Sequence, residues 1–373
     1  MKKLPGLLAF LIFALAACLP VGARGQTPPP VPTWAQSYGV GAYDRSGNPV
    51  MDDSGDSGMT GADLPRAIAP MPDGGVVVAG QLGLLLYGYD DAYQGSAIVR
   101  YNATGQIVWQ QLLRLNSDVP GPNGIVADSH IARMRTDAAG NIFVCGGLTS
   151  PGPNKETPFV AKFSADGALV WQNGVDTLRF AFPRSDGGTD IVTDSAYPFS
   201  SMDLTADGGV VVGGAVFVAL AVNNPNAHTT PFLVKFNADG TLGFHREYEN
   251  PIQYSGVISL CTRPGGLGYA LLLQPNPYNP ANNGAAVTVV LTDATGTPVG
   301  QRTFFSDGYG GTPQFITASS DGGFLFLSAL ISGNGDGSQV HKLNASLSPV
   351  WQTQIHNSST AGTLTPTPDG GCI

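Results

Sequence analysis

Three segments of the chain agree with one another in residue type and order: "PDGGVVVAG" with "SAIVRYNATGQIVWQQ", "DAAGNIFVCGG" with "PFVAKFSADGALVWQNG", and "ADGGVVVGG" with "PFLVKFNADGTLGFHRE". Two looser copies follow, "PGGLGYALLLQ" with "AVTVVLTDATGTPVGQR" and "SDGGFLFLSAL" with "SQVHKLNASLSPVWQTQ". Gly74, Gly140, Gly208, Gly265 and Gly322 mark one point in each copy, about 60 residues apart. A chain of this kind stacks one supersecondary unit many times, because a single unit cannot cover its own apolar face.

Each unit reads as four strands, A to D. Strand A is short and ends at an Asp/Gly turn, as in "ARMRTD", "SMDLTA" and "FITASS". Strand B is a nearly unbroken apolar run, "GVVVAG" or "IFVCGG", the pattern of a strand buried on both faces. Strand C alternates: in "FVAKFS" and "FLVKFN" the Phe, Ala or Val, and second Phe form an inward strip, with Lys162 and Lys235 pointing the other way. The next turn, "NATG", "SADG" or "NADG", places Asx and Gly where a hairpin loop requires positive φ. Strand D carries Trp34, Trp109, Trp171 and Trp351 at one position, with Phe244 there in the third unit and no aromatic in the fourth. A ring recurring once per unit reads as packing between neighbouring units in preference to ligand stacking.

The expected fold is therefore all-β, a β-propeller of four-stranded antiparallel blades. Units beginning near residues 65, 130, 200, 256 and 314 make five complete blades. "VPTWAQSYG" supplies strand D of a partial sixth, and "TLTPTPDGGCI" supplies its strand A and the start of B, so both termini build it. That blade lacks strand C, and D cannot slide into the vacant place, because it runs parallel to B. Residues 34–373 are read as this propeller, with an imperfect closure between first and last blades: either the sixth blade is irregular or the chain is truncated at its C-terminal end, the latter being the favoured expectation.

The repeats resemble those of secreted bacterial β-propeller proteins of the delta-sixty and related types, in which "DGG" opens a strand and "NxDG" or "NxxG" plus Trp closes the blade. The resemblance implies the architecture and names no common activity. "TGQIVW" at 104–109 is also similar to the tryptophan-docking turn of quinoprotein-type propellers, where a Gly and a Trp four residues on lock adjacent blades. Some of those proteins carry pyrroloquinoline quinone and others are cofactor-free lipoprotein scaffolds. The vicinal cysteines of the quinone dehydrogenases are absent here, so a quinoprotein-like fold without cofactor is what this likeness implies.

Composition excludes several classes of function. With 42% hydrophobic and 12% charged residues the chain supports a large core. Eighteen Lys and Arg against 27 Asp and Glu, thinly spread, argue against a nucleic-acid partner. Fifty glycines and 29 prolines suit many short strands joined by turns.

The N-terminus has two lysines, an apolar run from Leu7 to Ala17 and then small residues, so residues 1–25 read as a secretory signal. That run is too short to span a bilayer. "LAAC" resembles a lipobox ending at Cys18, the lipidation site on that reading; "VGA" before Arg24 or "ARG" before Gln26 fits ordinary signal peptidase. Residues 26–33 form a Pro-rich linker. The protein is thus expected to be exported, as an outer-membrane or cell-surface lipoprotein or as a secreted or periplasmic protein, touching a membrane only through a lipid.

No chemical motif emerges. His130, His228, His245, His341 and His356 are scattered without metal-ligand spacing, and no GxSxG elbow or phosphate loop is present. Cys145, Cys261 and Cys372 lack CxxC spacing and read as small buried strand residues. Gly74 with Gly75, and Gly208 with Gly209, read as turn glycines. Asp52, Asp56 and Asp63 in "VMDDSGDSGMTGAD" form a faint calcium-loop pattern, with Ser57 where the loop glycine belongs; a solvated loop competes with it. No cofactor is expected beyond that calcium.

Connections from B to C and from D to A are long, and alternating strand direction brings both out at the same strand ends. They carry Tyr87, Tyr89, Tyr93, Arg179, Arg184, Tyr197 and Tyr278, types that favour recognition surfaces. The expected function is an extracytoplasmic binding or scaffold module whose long-loop face recognises a protein or glycan. The alternative is a propeller enzyme of hydrolase or lyase type, although strand A supplies few acids for it.

Overall fold

The computed structural model describes residues 64–84, 93–113, 128–149, 156–174, 180–183, 189–192, 199–218, 228–248, 254–275, 285–305, 311–330, 337–356 and 363–373. Five four-stranded sheets contain these strands in sequence order, each the up-and-down unit of a propeller blade. The first holds β1 (Leu64–Pro70), β2 (Val76–Leu84), β3 (Tyr93–Tyr101) and β4 (Ile107–Leu112); the second β5 (Asp128–Thr136), β6 (Ile142–Thr149), β7 (Glu156–Phe163) and β8 (Leu169–Gly174). After β9 (Phe180–Pro183) and β10 (Thr189–Val192), the third holds β11 (Ser201–Leu204), β12 (Val210–Val218), β13 (His228–Phe236) and β14 (Leu242–Glu247). The fourth comprises β15 (Tyr254–Thr262), β16 (Tyr269–Pro275), β17 (Ala285–Thr292) and β18 (Pro298–Phe305), and the fifth β19 (Gly311–Ala318), β20 (Phe324–Leu330), β21 (Gly337–Leu343) and β22 (Pro349–His356). The chain divides into two compact units: Met1–Val144 with Leu148–Asn154 and Lys162–Val170, and Cys145–Gly147 with Lys155–Ala161 and Trp171–Ile373.

Turn chemistry explains the regularity. In the first sheet Met71 N–H bonds Gly75 O and Gly74 N–H bonds Met71 O, and the C–D turn repeats this with Asn102, Gly105 and Gln106. The pattern recurs at 137–141, 164–168, 205–209, 237–241, 293–297, 319–323 and 344–348. It is a type I turn whose fourth residue is left-handed, hence the glycine. The Asx residue contributes differently from the sequence expectation. Among the described residues Leu347 is the one non-glycine with positive φ, at 62°. Asn102 acts through its side chain, its Oδ1 accepting from Thr104 N–H and Gln106 N–H, as Asp293 Oδ1 does from Thr295 and Thr297. The fourth A–B turn departs from the repeat: it is closed one residue later, by Arg263 N–H to Gly268 O, and Gly265, Gly266 and Gly268 all take positive φ.

Two strand expectations need correction. Strand A is not uniformly short, since β5 and β15 run to 9 residues while β11 has 4. Strand C is not half exposed: Phe159, Val160 and Ala161 are consecutive and all fully buried, as are Phe232, Leu233 and Val234. The central strands of each blade are covered on both faces, so alternation in "FVAKF" distinguishes two neighbours and not core from solvent.

The cation ending strand C meets the acid of the A–B turn in its own blade. Arg100 bonds Asp73 at 2.7 Å, Lys235 bonds Asp207, and Lys342 bonds Asp321 at 2.7 Å. The second blade has Ala139 where those aspartates stand, and Lys162 lies instead over the Phe143 ring, 5.1 Å from its centroid.

Residues 363–373 form an A–B unit beside the fifth blade. Thr365 and Ile373 exchange two backbone bonds, Pro366 bridges Cys372, and Thr367–Gly371 closes the same turn. Leu364 and Cys372 pack on Phe315, Leu325, Leu327 and Val340. The N-terminal contribution expected for this partial blade, Trp34 included, lies outside the described residues.

Candidate functional site

Strand direction sorts the connections. The described A–B and C–D connections are tight turns, whereas B–C and D–A connections run from Leu84 to Tyr93, from Gly174 to Ser201 and from Pro275 to Ala285, and leave from the opposite strand ends. Tyr93 opens β3. Tyr87, Tyr89, Arg179, Arg184, Tyr197 and Tyr278 lie outside the described residues, as do Asp52, Asp56, Asp63 and Cys18. One connection read as a loop contains an ordered element: β9 and β10 form an antiparallel hairpin, pairing Phe180 with Val192 and Pro183 with Thr189. Arg179 immediately precedes this hairpin and Arg184 follows its first strand. The signal was present in "SDGG" at 185–188, the same letters that open a turn at 320–323.

The tryptophan position sits at blade joints. Trp109 lies against Gly167 of the next blade, where an added Cβ would come within 3.2 Å of the indole, and its Nε1–H donates to Ala165 O at 3.1 Å. Two residues on, Gln111 Nε2 donates to Gly167 O at 2.9 Å. Trp171 repeats this on Gly240, with Nε1–H to Ala238 O at 3.1 Å and Asn173 Nδ2 to Gly240 O at 2.5 Å. Phe244 lies on Gly296 but has no N–H; Tyr248 OH donates to Gly296 O at 2.9 Å instead. Burial pushes the Tyr248 phenol well above its ordinary range. The fourth joint lacks both the ring and the turn glycine. Gly300 stands at the ring position, and Leu347 replaces the turn glycine, buried at 3% exposure beside Leu291, Phe324 and Leu343. Trp351, in the fifth blade, is 37% exposed.

Strand A carries polar side chains that sequence reasoning passed over. Ser201 Oγ accepts Leu260 N–H at 2.8 Å, Ser259 Oγ accepts Ile316 N–H at 3.1 Å, and Asp203 accepts both the N–H and the hydroxyl of Thr262. The third and fourth blades thus satisfy edge amides of the strand A that follows each, closing groups that would otherwise invite foreign strands. Thr136 Oγ1 does the equivalent for Pro70 O at 2.5 Å.

Two of the five histidines are described side chains with shifted titration. Burial, with the Arg246 charge secondary, lowers His245 to about 4, and it does so despite Glu247 at 3.5 Å. His341 stacks on Phe326 with centroids 4.2 Å apart and is lowered by burial to about 4. Both are neutral packing groups near neutral pH. Asp207 is pushed up by burial and down by hydrogen bonds from Lys235, Thr205 and Gly209, and the hydrogen bonds prevail, leaving it at about 2. Cys145 and Cys261 are buried free thiols and Cys372 is half-buried. Among the described residues no three His, Cys, Asp or Glu side chains converge to hold a metal ion.

No known protein family matches the sequence, and no curated protein matches it. Among solved structures the chain is similar to the Hadza microbial sialidase Hz136, with TM-score 0.48 and 11% identity over 80% of this chain and 59% of that one. It is similar to the Synechocystis apocarotenoid oxygenase, Glu150Asp mutant, with TM-score 0.40 and 10% identity over 79% of this chain and 64% of the other. It is also similar to a member of the DUF4221 family from Bacteroides vulgatus, with TM-score 0.36 and 12% identity over 80% and 82% of the two chains. The chain spans about three fifths of the sialidase and oxygenase. None of these likenesses carries an inference about chemistry.

Proposed function

We propose that this protein is an exported binding module, with a recognition surface on its B–C and D–A connections and a protein or glycan of the cell envelope as partner. The observation supporting this reading is the unequal use of the strand ends. Turns at one end, the fourth A–B turn excepted, are held to one hydrogen-bonded form, while the long connections leave from the other. A repeated scaffold with rigid turns at one end leaves sequence free to vary at the other, which is where binding residues concentrate. Tyr87, Tyr89, Arg179, Arg184, Tyr197 and Tyr278 belong to those connections, Tyr93 opens the strand that follows the first of them, and together they supply flat aromatic area and bidentate donors. Export follows the N-terminal signal, with the chain either lipidated at Cys18 or released by cleavage farther on.

The test uses the mature protein on a glycan array and against solubilised envelope proteins. Tyr87→Ala, Arg179→Ala and Tyr197→Ala are expected to reduce capture of the partner at least tenfold while leaving Tm within about 1 °C of wild type. A triple variant that binds as well as wild type sinks the reading. So does loss of binding that merely tracks loss of fold.

A further inference from the structure

Three joints are tied at their outer rim by donors from strand D to carbonyls of the facing turn. Trp109 and Gln111 do this in the first joint, Trp171 and Asn173 in the second, and Tyr248 in the third. In the fourth joint, between the sheets β15–β18 and β19–β22, the matching places hold Gly300, Arg302 and Phe304. Among the described residues none of these donates to Ala345 O or Leu347 O of the facing turn. Arg302 lies instead over the Phe304 ring, 5.7 Å from its centroid.

What joins the two sheets at that rim is aromatic and includes one titratable group. Phe304 lies 5.1 Å from Phe326 and 6.2 Å from His341, and His341 stacks on Phe326 with 5° between the planes. Ser328 Oγ stands 3.4 Å from His341 Nε2. Charge is scarce around the imidazole. Strands β17, β19 and β20 carry no charged residue, and Arg302 is the single one on β18. Lys342 alternates to the other face of β21, where it meets Asp321. On β22, Gln352 stands opposite His341, and His356 is at the far end opposite Gly337. A proton on His341 therefore puts a cation into an apolar layer that offers no acid to receive it.

We propose that the fourth joint is an acid-sensitive seam: protonation of His341 parts the outer strands β17 and β18 from β20 and β21, while the other three joints stay shut on their donors. Ser259 Oγ, which accepts Ile316 N–H at 3.1 Å, holds the inner strands together and acts as the hinge. Closed, the imidazole is kept by burial at about 4; open to water, it regains its ordinary 6.5. Opening thus takes up a proton, so the open fraction grows about tenfold for each pH unit of acidification between those values. The parted faces expose Phe304, Phe326 and Val289, an apolar surface that is covered at neutral pH.

Thiol accessibility in the full exported chain tests the seam. Val289, opposite Arg302 in register, is buried in the fourth joint, and Leu233, opposite Arg246, is its counterpart in the third. Val289→Cys and Leu233→Cys are each labelled with 4,4′-dithiodipyridine, which reacts in acid, from neutral pH downward. Sites are read by peptide mass spectrometry, and rates are divided by that of a model thiol at the same pH. The rate at Val289→Cys is expected to rise about tenfold per pH unit below about 6.5, and that at Leu233→Cys to change less than about twofold. Adding His341→Phe should flatten the first profile; His341→Gln, neutral and polar, serves if the phenylalanine variant does not fold. A flat profile at Val289→Cys, equal rises at both sites, or a rise that survives loss of His341 overturns the proposal. So does a His341 ring that titrates near 6.5 by proton NMR in the wild-type chain, whatever the variants do.

Discussion

Lys342 shows how much one side chain depends on its partner. Its side chain is 2% exposed, and its ammonium meets the Asp321 carboxylate, which is itself 54% exposed. The Lys342 hydrogen bond, then the Gly323 N–H, hold Asp321 below the usual carboxylate range. Asp321→Ala strands a buried charge and is expected to cost about 3 kcal/mol in urea unfolding. Adding Lys342→Met should restore most of that, because an apolar stem of similar volume needs no partner. Asp73→Ala should cost less, since Arg100 keeps a second acceptor in Ala165 O at 2.7 Å. Gly240→Ala meets two penalties together: φ of +87°, and a Cβ that would lie 2.8 Å from Trp171 Cγ. The backbone term alone is about 1–3 kcal/mol, so this variant should unfold at visibly lower urea than wild type, whereas an alanine at Gly300, with open space and no positive φ, should not.

Among elements, strand A is where sequence reading fell shortest. The notation "SMDL" suggests a short polar edge, but Ser201 and Asp203 make bonds to a strand 59 residues on. Asp203→Ala removes the acceptor for the Thr262 amide and is expected to cost about 1–3 kcal/mol. Hydrogen exchange at Thr262 should quicken in that variant while amides of β12 keep their protection. If Thr262 stays protected, the amide has another acceptor and the edge-capping account fails. Strand B was readable because an apolar run of its length needs cover on both faces. Strand C misled because Lys162 and Lys235 look like solvent markers, yet each reaches a local partner past buried neighbours. The hairpin at 180–192 was hidden inside a connection because its strands have only 4 residues each.

For the molecule as a whole, acid stability follows from two sets of groups. His245 and His341 have folded pKa values near 4, below the ordinary 6.5. The unfolded chain therefore binds more protons between those values, so stability is complete above about pH 6.5 and declines as pH falls toward 4. The turn aspartates, with Asp207 at about 2, contribute stability present above pH 3.8 that is lost as pH falls through their lowered values. Tm plotted against pH should show two descending arms. His245→Phe with His341→Phe should flatten the arm between 6.5 and 4 and leave the lower one standing; a wild-type slope in the double variant contradicts this assignment.

What sequence determined alone is local: the repeat, the order A to D, the tight turns and the rings at one position. These demands are settled within about five residues, by φ, by a side-chain oxygen and by alternation, so they are written in adjacent letters. Tertiary structure decided which carbonyl each indole meets, 56 residues away for Trp109 and 67 for Trp171, and which serine caps which strand. It also buried Leu347 beside Leu291, 56 residues back in the chain. Such pairings depend on the register between separate sheets, and neither residue records its partner nearby.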